Sequence, residues 1–234
     1  MKEAIRLRSG RERRRVGMFL AEGPREVERA RAAGLRIVAT YFAPALLSWP
    51  EGEQVSERVL AKMTYRAAPE GVLAIVEAPR PALPAAGTLY LAAVGIEKPG
   101  NIGAMARTAA AAGADALIVA DARSDPWNPN SIRASTGAVF TLPVVEATLE
   151  EVRALPATLV AATPRATTEY TDADLTRPTT IAVGAEDRGL SDAWLDAAEL
   201  HVAIPITAGA ADSLNAATAA AILLYEARRQ RARA

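Results

Sequence analysis

The segment that decides the fold reads V-G-I-E-K-P-G-N-I-G at residues 94–103. An apolar run at 88–95 leads into it and a helical pattern near 101–113 follows, so the segment joins a strand to a helix. The same alternation continues along the chain. Further patterns predict strands at 115–120, 157–162, 179–184 and 199–204, and helices near 148–155, 191–198 and 213–231. Strands that alternate with helices predict a mainly parallel α/β sheet with helices on both faces.

The first 78 residues have a different organisation. Their patterns predict helices at 25–33 and 57–63, capped by Gly34 and Ser56, and strands at 35–42 and 71–76. Three prolines then lie within 79–84, where the backbone is extended and poor in hydrogen-bond donors. We therefore predict a small α/β domain at 1–78, a linker at 79–87 and a larger α/β domain at 88–234.

The composition excludes several kinds of chemistry. The chain has no cysteine and one histidine, so it has no disulfide scaffold, no thiolate nucleophile and no metal site built on sulfur or on several histidines. His201 lies in an alternating apolar stretch, where we expect a structural role at a strand end. No apolar run approaches the roughly 20 residues that span a membrane, and the N-terminus lacks the apolar core of a signal peptide. We expect a cytoplasmic protein that binds no metal and no membrane.

The charge is balanced overall but unevenly distributed. Basic and acidic residues each number 27, yet residues 1–15 hold seven basic side chains against Glu3 and Glu12, a net charge of +5. We call residues 1–15 the arginine arm. Such an arm is typical of contact with nucleic-acid phosphates, although it also fits a solvated helix face. Four arginines near the C-terminus fit either the helix macrodipole or RNA contact: Arg228, Arg229, Arg231 and Arg233.

The segment at 94–103 is also the first of three candidate site segments. Its glycines would let backbone N–H groups approach a ligand at a helix N-terminus. A dinucleotide site is one alternative, because Asp121 closes the following strand, but the glycines are spaced G-x4-G-x2-G rather than G-x-G-x-x-G. Asn101 and Arg107 follow on the predicted helix, on partly overlapping faces.

The other two candidate segments are also turns between a strand and a helix. In the second, at 184–191, Ser191 can cap the next helix, and an ordinary connection is the alternative. In the third, at 204–215, Asp212 or Ser213 can cap the last helix. Asn215 then falls inside the first turn, where its poor helix propensity indicates another role.

Together, these segments resemble the SpoU family of SPOUT-class RNA ribose 2′-O-methyltransferases. Residues 99–109, 184–189 and 204–215 resemble the family's three motifs in order, and residues 132–138 resemble the segment between the first two. The stretches F-L-A-E-G-P at 19–24 and P-E-G-V-L-A at 69–74 are similar to the ribosomal-protein-like RNA-binding domain of the rRNA-directed members. The resemblance covers nearly the whole chain.

The resemblance implies an α/β trefoil-knot domain that binds S-adenosylmethionine and transfers its methyl group to a ribose 2′-hydroxyl. It implies cofactor contacts from Ala162, Thr163, Pro164, Gly184, Ala185, Glu186, Ile204, Ile206, Ser213, Leu214 and Asn215. It implies catalytic roles for Asn101, Arg107, Glu186, Ser213 and Asn215. The charge pattern and the resemblance together predict RNA contacts from Arg6, Arg8, Arg11, Arg13, Arg14, Arg15, Arg25 and Arg133.

The role of Arg107, the substrate and the assembly are further expectations. Family proposals make Arg107 the proton acceptor, but a guanidinium stays protonated, so we favour a fixed cation that holds a phosphate near the hydroxyl. The N-terminal domain favours rRNA, most of all 23S rRNA, over tRNA, and a non-catalytic RNA-binding protein is the remaining alternative. The resemblance implies a homodimer that completes the site, and Ala219–Tyr225 is our candidate for part of its interface.

Overall fold

Two sheets follow one another along the chain. The computed structural model describes residues 1–207 and 213–233. The N-terminal part comprises α1 (Lys2–Arg6), α2 (Gly10–Val16), β1 (Met18–Glu22), α3 (Pro24–Ala32), β2 (Ile37–Phe42), β3 (Glu53–Gln54), α4 (Glu57–Met63) and β4 (Val72–Glu77). The C-terminal part comprises β5 (Leu89–Val94), α5 (Pro99–Ala112), β6 (Ala116–Ala120), α6 (Pro129–Ser135), a 3-10 turn (Ala138–Phe140), β7 (Val144–Glu146), α7 (Leu149–Arg153), β8 (Thr158–Ala162), β9 (Thr179–Val183), α8 (Asp192–Ala197), β10 (Leu200–Val202) and α9 (Ala216–Arg231).

The N-terminal sheet has the strand order β1-β4-β2-β3, with β4 antiparallel to both β1 and β2. Two helix ends predicted in this part of the chain, at Ser56 and Gly34, lie where the sequence indicated them. Ser56 Oγ accepts a hydrogen bond from Val59 N at 3.3 Å and so caps α4. After α3, Gly34 has a φ of +72° and the amide of Leu35 bonds the carbonyl of Ala30 at 3.0 Å, which closes the helix as a Schellman motif.

The C-terminal sheet has the order β10-β8-β9-β5-β6-β7, and every neighbouring pair is parallel. The parallel α/β sheet predicted from the alternation is therefore confirmed. All residues of β5, β6 and β9 are buried, as expected for strands covered on both faces. The carboxyl ends of β8, β9 and β10 lie at one edge, where open α/β sheets bind ligands.

The two parts share one hydrophobic core. Phe19 of β1 stacks on Trp127 and on Phe140 of the C-terminal part, with ring centroids 4.9 and 5.6 Å apart. Val27 of α3 and Met105 of α5 belong to the same buried cluster. The N-terminal sheet therefore packs directly on the C-terminal part rather than depending on the proline-rich segment alone.

Helix α9 begins later than predicted and is fixed at its end. It starts at Ala216 with Asn215 as its cap, so the predicted start at 213 with Ser213 as cap is wrong, while Asp212 lies outside the described residues. Near its end, Arg231 donates to the carbonyls of Thr88, Leu175 and Arg177 at 2.6–2.9 Å. In the described part of the chain, no helix has the length and apolar composition needed to cross a membrane.

Candidate active site

A cleft of about 640 Å³ lies at the carboxyl ends of β8, β9 and β10. This volume is in the range of small-molecule sites. Ten of the eleven predicted cofactor residues line the cleft: Ala162, Thr163, Pro164, Gly184, Ala185, Glu186, Ile204, Ile206, Ser213 and Leu214. Three separate loops thus converge on one space, and contact between these residues and a cofactor stays a prediction.

The loop after β9 forms one wall of the cleft through a tight turn that needs two glycines. The amide of Gly189 bonds the carbonyl of Ala185 at 2.8 Å, which folds the loop back on itself. A Cβ on Gly184 would lie 2.2 Å from the backbone of Gly189, so only glycine fits there. Gly189 itself has a φ of +67°, which favours glycine for a conformational reason. The two glycines at positions 184 and 189 therefore allow the tight turn that forms this wall of the cleft.

Three predicted catalytic side chains form one hydrogen-bonded cluster, which we call the amide–carboxylate cluster. Asn101 Nδ2 donates to Glu186 Oε1. Asn215 Nδ2 donates to the same oxygen at 3.1 Å and to Asn101 Oδ1 at 3.2 Å. These residues lie 85, 29 and 114 positions apart in the sequence. The fold brings together one residue from each of the three motifs.

Two helix N-termini meet at this cluster. Asn101 lies in the first turn of α5, and Asn215 caps α9 by accepting hydrogen bonds from the amides of Ala217 and Thr218 at 3.0 and 3.3 Å. The N-terminal ends of α5 and α9 therefore both lie beside the Glu186 carboxylate. The double use of Asn215, as cap and as donor to Glu186, explains a side chain that the sequence had indicated to have another role.

Arg107 and Ser213 lie apart from the cluster. Arg107 is exposed, six residues and about 9 Å along α5 from Asn101. Within residues 1–207 and 213–233 it has no hydrogen bond or ion pair, and the expected shared face with Asn101 does not bring the two side chains together. Ser213 lines the cleft and is exposed, without a bond to the cluster in the same part of the chain.

Two of the three glycines in the segment at 94–103, Gly95 and Gly103, have structural reasons. A Cβ on Gly103 would lie 2.1 Å from the carbonyl oxygen of Ser131, so Gly103 lets α5 and α6 pack closely. Gly95 has a φ of +64°. The interpretation that these glycines expose backbone N–H groups to a ligand is therefore wrong for Gly103, which is buried against protein.

One predicted RNA contact is also wrong. Arg13 is only 3% exposed, and its guanidinium pairs with Asp125 at 2.7 Å. A buried, paired guanidinium is not accessible to a phosphate. The other predicted arginines are exposed: Arg6, Arg8, Arg11, Arg14, Arg15, Arg25 and Arg133. Of these, Arg15 and Arg25 pair with Glu12 and Glu26, and Arg133 bonds Asn130.

Several polar residues of the cleft were not predicted. Arg165, Asp187, Arg188 and Asp192 also line it, and the indole of Trp194, on the adjoining helix α8, bonds Asp121. Asp187 and Arg188 could have been found, because they lie inside the second motif. His201 is exposed on β10 and bonds the carbonyl of Leu195 at 2.9 Å, in agreement with a structural role. The described residues hold no group of three or more His, Asp or Glu side chains that could bind a metal.

A comparison with known protein families agrees with this geometry. The profile of the SpoU rRNA Methylase family matches residues 88–225, which include all three motifs, and that of the MRM3-like substrate binding domain matches residues 1–74. The chain belongs to the SpoU rRNA methylase family. This finding confirms the family and the fold class predicted from the sequence, a SPOUT α/β domain preceded by a small α/β domain. The exact boundaries at 78 and 87 stay predictions.

Individual SpoU relatives resemble the chain over different lengths. The 23S rRNA (uridine(2479)-2′-O)-methyltransferase of Streptomyces viridochromogenes is 44% identical over 143 residues, which are 57% of this chain and 50% of that protein. The 23S rRNA (guanosine(2553)-2′-O)-methyltransferase RlmP of Bacillus subtilis is 30% identical over 97% of this chain and 95% of its own. The chain thus spans half of the first relative and nearly all of the second.

A solved SpoU structure extends the likeness to both parts of the molecule. The crystal structure of the SpoU methyltransferase AviRb from Streptomyces viridochromogenes, in complex with the cofactor AdoMet, superposes with a TM-score of 0.89 at 33% identity. The superposition covers 99% of this chain and 97% of AviRb. The N-terminal sheet and its packing on the C-terminal part are therefore features that this SpoU chain shares with AviRb.

Proposed function

We propose that the protein is an S-adenosylmethionine-dependent ribose 2′-O-methyltransferase of 23S rRNA that acts in the cytoplasm, where that rRNA lies. The observation that carries the proposal is the position of Glu186. Its side chain lines the cleft, and the same carboxylate accepts hydrogen bonds from Asn101 and Asn215. A small-molecule site and a polar cluster are thus joined through one residue.

The residues of the cleft suit S-adenosylmethionine. Ile204, Ile206 and Leu214 supply apolar surface for an adenine. Glu186 and Asp187 supply carboxylates that match a sulfonium cation, and the small residues at 184–185 leave the backbone open to a ribose. When bound, the cofactor supplies an activated methyl group. The chain's own residues must therefore orient the acceptor hydroxyl and exclude water from it.

The amide–carboxylate cluster is the part of the site that we assign to the acceptor ribose. Glu186 fixes the amides of Asn101 and Asn215 in one orientation, and Asn215 is itself fixed by the first turn of α9. A group held on several sides loses little freedom when it binds a hydroxyl. We therefore assign positioning of the ribose to Asn101 and Asn215, and positioning of their amides to Glu186.

Arg107 acts in our proposal within a homodimer. Arg107 is exposed on α5, apart from the amide–carboxylate cluster of its own chain. Helix α9 packs beside α5, and Arg228 of α9 donates a hydrogen bond to the carbonyl oxygen of Ala111 at 2.5 Å. Within the candidate interface at 219–225, Leu223 and Leu224 belong to the core, whereas Tyr225 is 49% exposed. If a second copy of the chain packs on Tyr225, Arg107 of one protomer would reach the active site of the other. There its guanidinium would bind a phosphate of the RNA.

The choice of 23S rRNA rests on the N-terminal part. The match to a substrate binding domain at 1–74, and the two relatives named for 23S rRNA, favour rRNA over tRNA. The exposed arginines of the arm supply sequence-independent contacts to phosphates. We therefore expect the N-terminal part to bind rRNA and the C-terminal part to modify it.

The decisive experiment maps 2′-O-methylation on 23S rRNA, naked or in ribosomal subunits, after incubation with purified protein and S-adenosylmethionine. We expect one new methylated ribose, lost in the Glu186→Gln variant and retained in the Glu150→Gln variant, whose exposed side chain lies on α7 away from the cleft. A mark on tRNA and none on rRNA would change the substrate. Calorimetry without detectable binding of S-adenosylmethionine would favour a non-catalytic RNA-binding protein.

The homodimer is tested by light scattering at micromolar concentration. Tyr225→Glu introduces a charge into the proposed interface and should yield a monomer. Leu46→Glu is the matched control, since Leu46 is 41% exposed in the N-terminal part, away from α9. A monomeric unmodified protein would refute the dimer and with it the role of Arg107 in a partner's site.

A further inference from the structure

We propose that Arg13 is a positioning residue: through its buried ion pair with Asp125 it sets the position of the arginine arm relative to the methyl-transfer site. The inference rests on the proposed function, because the arm must hold RNA for its position to matter. Its consequence is that one side chain in the RNA-binding part helps to determine which ribose reaches the cluster at Glu186.

A single guanidinium holds three segments together. Arg13 Nε pairs with Asp125 Oδ2 at 2.7 Å across 112 residues of sequence. The same side chain donates from Nη1 to the carbonyls of Leu7 and Arg8 at 2.7 and 3.1 Å. Those carbonyls lie just after α1, whereas Arg13 itself belongs to α2. The planar fork of arginine therefore fixes α1, α2 and the segment before α6 in one geometry.

Asp125 is held equally firmly from its own side. Its Oδ1 accepts a hydrogen bond from the amide of Trp127 at 2.9 Å, and the Trp127 ring stacks on Phe19. Asn128 then caps α6 by accepting from the amide of Asn130 at 2.9 Å. The carboxylate that pairs with Arg13 is thus part of the turn that starts α6.

Helix α6 continues this connection to the site. Gly103 of α5 and the backbone of Ser131 on α6 are in such close contact that no Cβ fits between them. Asn101 lies two residues before Gly103, in the first turn of the same helix. A continuous series of contacts therefore runs from the arm through Arg13, Asp125 and α6 to Asn101.

The ion pair between Arg13 and Asp125 links the two parts of the chain. Among residues 1–207 and 213–233, it is the only ion pair or hydrogen bond between the N-terminal part and the C-terminal part. The shared apolar core already holds the two parts together, but apolar contact is weakly directional. A buried ion pair adds little stability over apolar side chains of similar size, yet it requires one geometry. This is the property that a positioning contact needs.

The experiment uses the full chain with the double substitution Arg13→Met and Asp125→Asn. The pair of changes removes both buried charges, and the asparagine keeps an oxygen for the amide of Trp127. We expect the Kd for S-adenosylmethionine to stay within about twofold, because the cleft does not include either residue. RNA affinity should stay within about threefold, because the exposed arginines remain. The single-turnover rate at saturating RNA should fall at least about tenfold, because misplacing the reacting groups by about 1 Å lowers a rate by up to about a hundredfold.

The geometry can be measured without relying on activity. The chain has no cysteine, so spin labels can be placed at Lys2→Cys on α1 and Glu150→Cys on α7, two exposed positions. We expect a narrow distance distribution in the otherwise unmodified protein and a broader or shifted one in the double variant. Arg36→Met is the control, because Arg36 forms an exposed ion pair with Glu77 inside the N-terminal part. It should leave both rate and distance unchanged.

The outcomes separate the two proposals. If the unmodified chain methylates no RNA, the proposed function fails, whereas the distance measurement still tests the positioning contact. An unchanged distance and rate in the double variant would overturn the role of Arg13. A parallel loss of RNA affinity with an unchanged saturating rate would overturn it as well. If the double variant does not fold, Arg13→Lys is measured instead, since it keeps the charge but not the fork; a normal rate and distance there would refute the proposal.

Discussion

The indole nitrogen of Trp194 donates a 2.9 Å hydrogen bond to Oδ2 of Asp121. Trp194 is 2% exposed and lies on α8, which starts directly after the loop that walls the cleft, and its neighbour Leu195 lines the cleft. Asp121 follows β6 with a φ of +48°, in the left-handed region that aspartate and asparagine tolerate best among residues with a side chain. The hydrogen bond therefore connects one wall of the cleft to the end of β6.

The first prediction tests the contribution of this hydrogen bond to stability. Asp121→Ala should leave the buried indole N–H without a partner and lower the free energy of unfolding by about 1–3 kcal/mol. Asp121→Asn keeps a hydrogen-bond acceptor and a side chain that tolerates the left-handed φ. Its free energy of unfolding should therefore stay close to that of the unmodified protein. Urea unfolding, followed by tryptophan fluorescence, measures the difference. Equal stability of the alanine and asparagine variants would contradict the assignment.

The second prediction compares the two glycines of the loop at 184–189. In Gly184→Ala the new methyl would meet the backbone of Gly189, so the loop must move and binding of S-adenosylmethionine should be lost. In Gly189→Ala nothing lies within 4 Å of the new methyl, so only the left-handed φ costs energy, roughly 1–2 kcal/mol. Calorimetry should therefore detect cofactor binding by Gly189→Ala and not by Gly184→Ala. The reverse order would show that the close approach at Gly184 does not matter.

Much of the fold was predictable because the strands of the C-terminal sheet are continuous apolar runs. The run at 88–95 became β5 at Leu89–Val94, and that at 179–184 became β9 at Thr179–Val183. Helix α6 was missed, since the polar and proline-containing stretch before it gives a turn signal rather than a helical one. Strand β1 was missed for another reason: it is only five residues long and directly follows an arginine-rich helix.

The site was predictable as segments but not as contacts. Each motif is one short continuous segment of sequence, so local sequence identified Asn101, Glu186 and Asn215. No local signal shows that these side chains bond one another. The cap of α9 was misassigned because several residues that can cap occur in succession. The burial of Arg13 had one weak signal, its position three residues before Val16, which places both on the same face of α2. Tertiary packing decided each of these cases.

The third prediction uses the two functions of Asn215. Asn215→Ala should lose the cap of α9, at about 1 kcal/mol of stability, and lose methyl transfer. Asn215→Asp keeps an oxygen for the amides of Ala217 and Thr218 but places a second carboxylate beside Glu186. It should therefore unfold at nearly the normal temperature and still be inactive. Activity in Asn215→Asp would show that the donor to Glu186 is dispensable.

The fourth prediction concerns the pH dependence of stability. Burial raises the pKa of the Glu22 carboxyl above its ordinary value of 4.5. Hydrogen bonds from the amides of Tyr65 and Arg66 lower this pKa, but the effect of burial is larger. The folded state then binds the proton more tightly than the unfolded state, so this residue's contribution to stability falls as the pH rises above 4.5. Urea unfolding across this range should show the unmodified protein losing stability relative to Glu22→Gln with rising pH.

Glu226 supplies the control of opposite sign for that experiment. The hydrogen bond from Arg229 lowers the pKa of the Glu226 carboxyl below 4.5. Its contribution is therefore complete above pH 4.5 and is lost as the pH falls below that value. Relative to Glu226→Gln, the unmodified protein should lose stability on acidification. The same slope in both comparisons would contradict the two opposite shifts.

The fifth prediction distinguishes the arginines at the two ends of the chain. Arg14 is exposed on the arm, whereas Arg231 is partly buried and donates to carbonyls of Thr88, Leu175 and Arg177. Arg14→Met should reduce the slope of log affinity for RNA against log salt by about one, because one phosphate contact is lost. Arg231→Met should instead lower the free energy of unfolding by about 1–3 kcal/mol and leave the salt slope unchanged. Salt titrations of RNA binding, paired with urea unfolding of both variants, test this. A reduced slope in Arg231→Met would assign the end of α9 to the RNA surface after all.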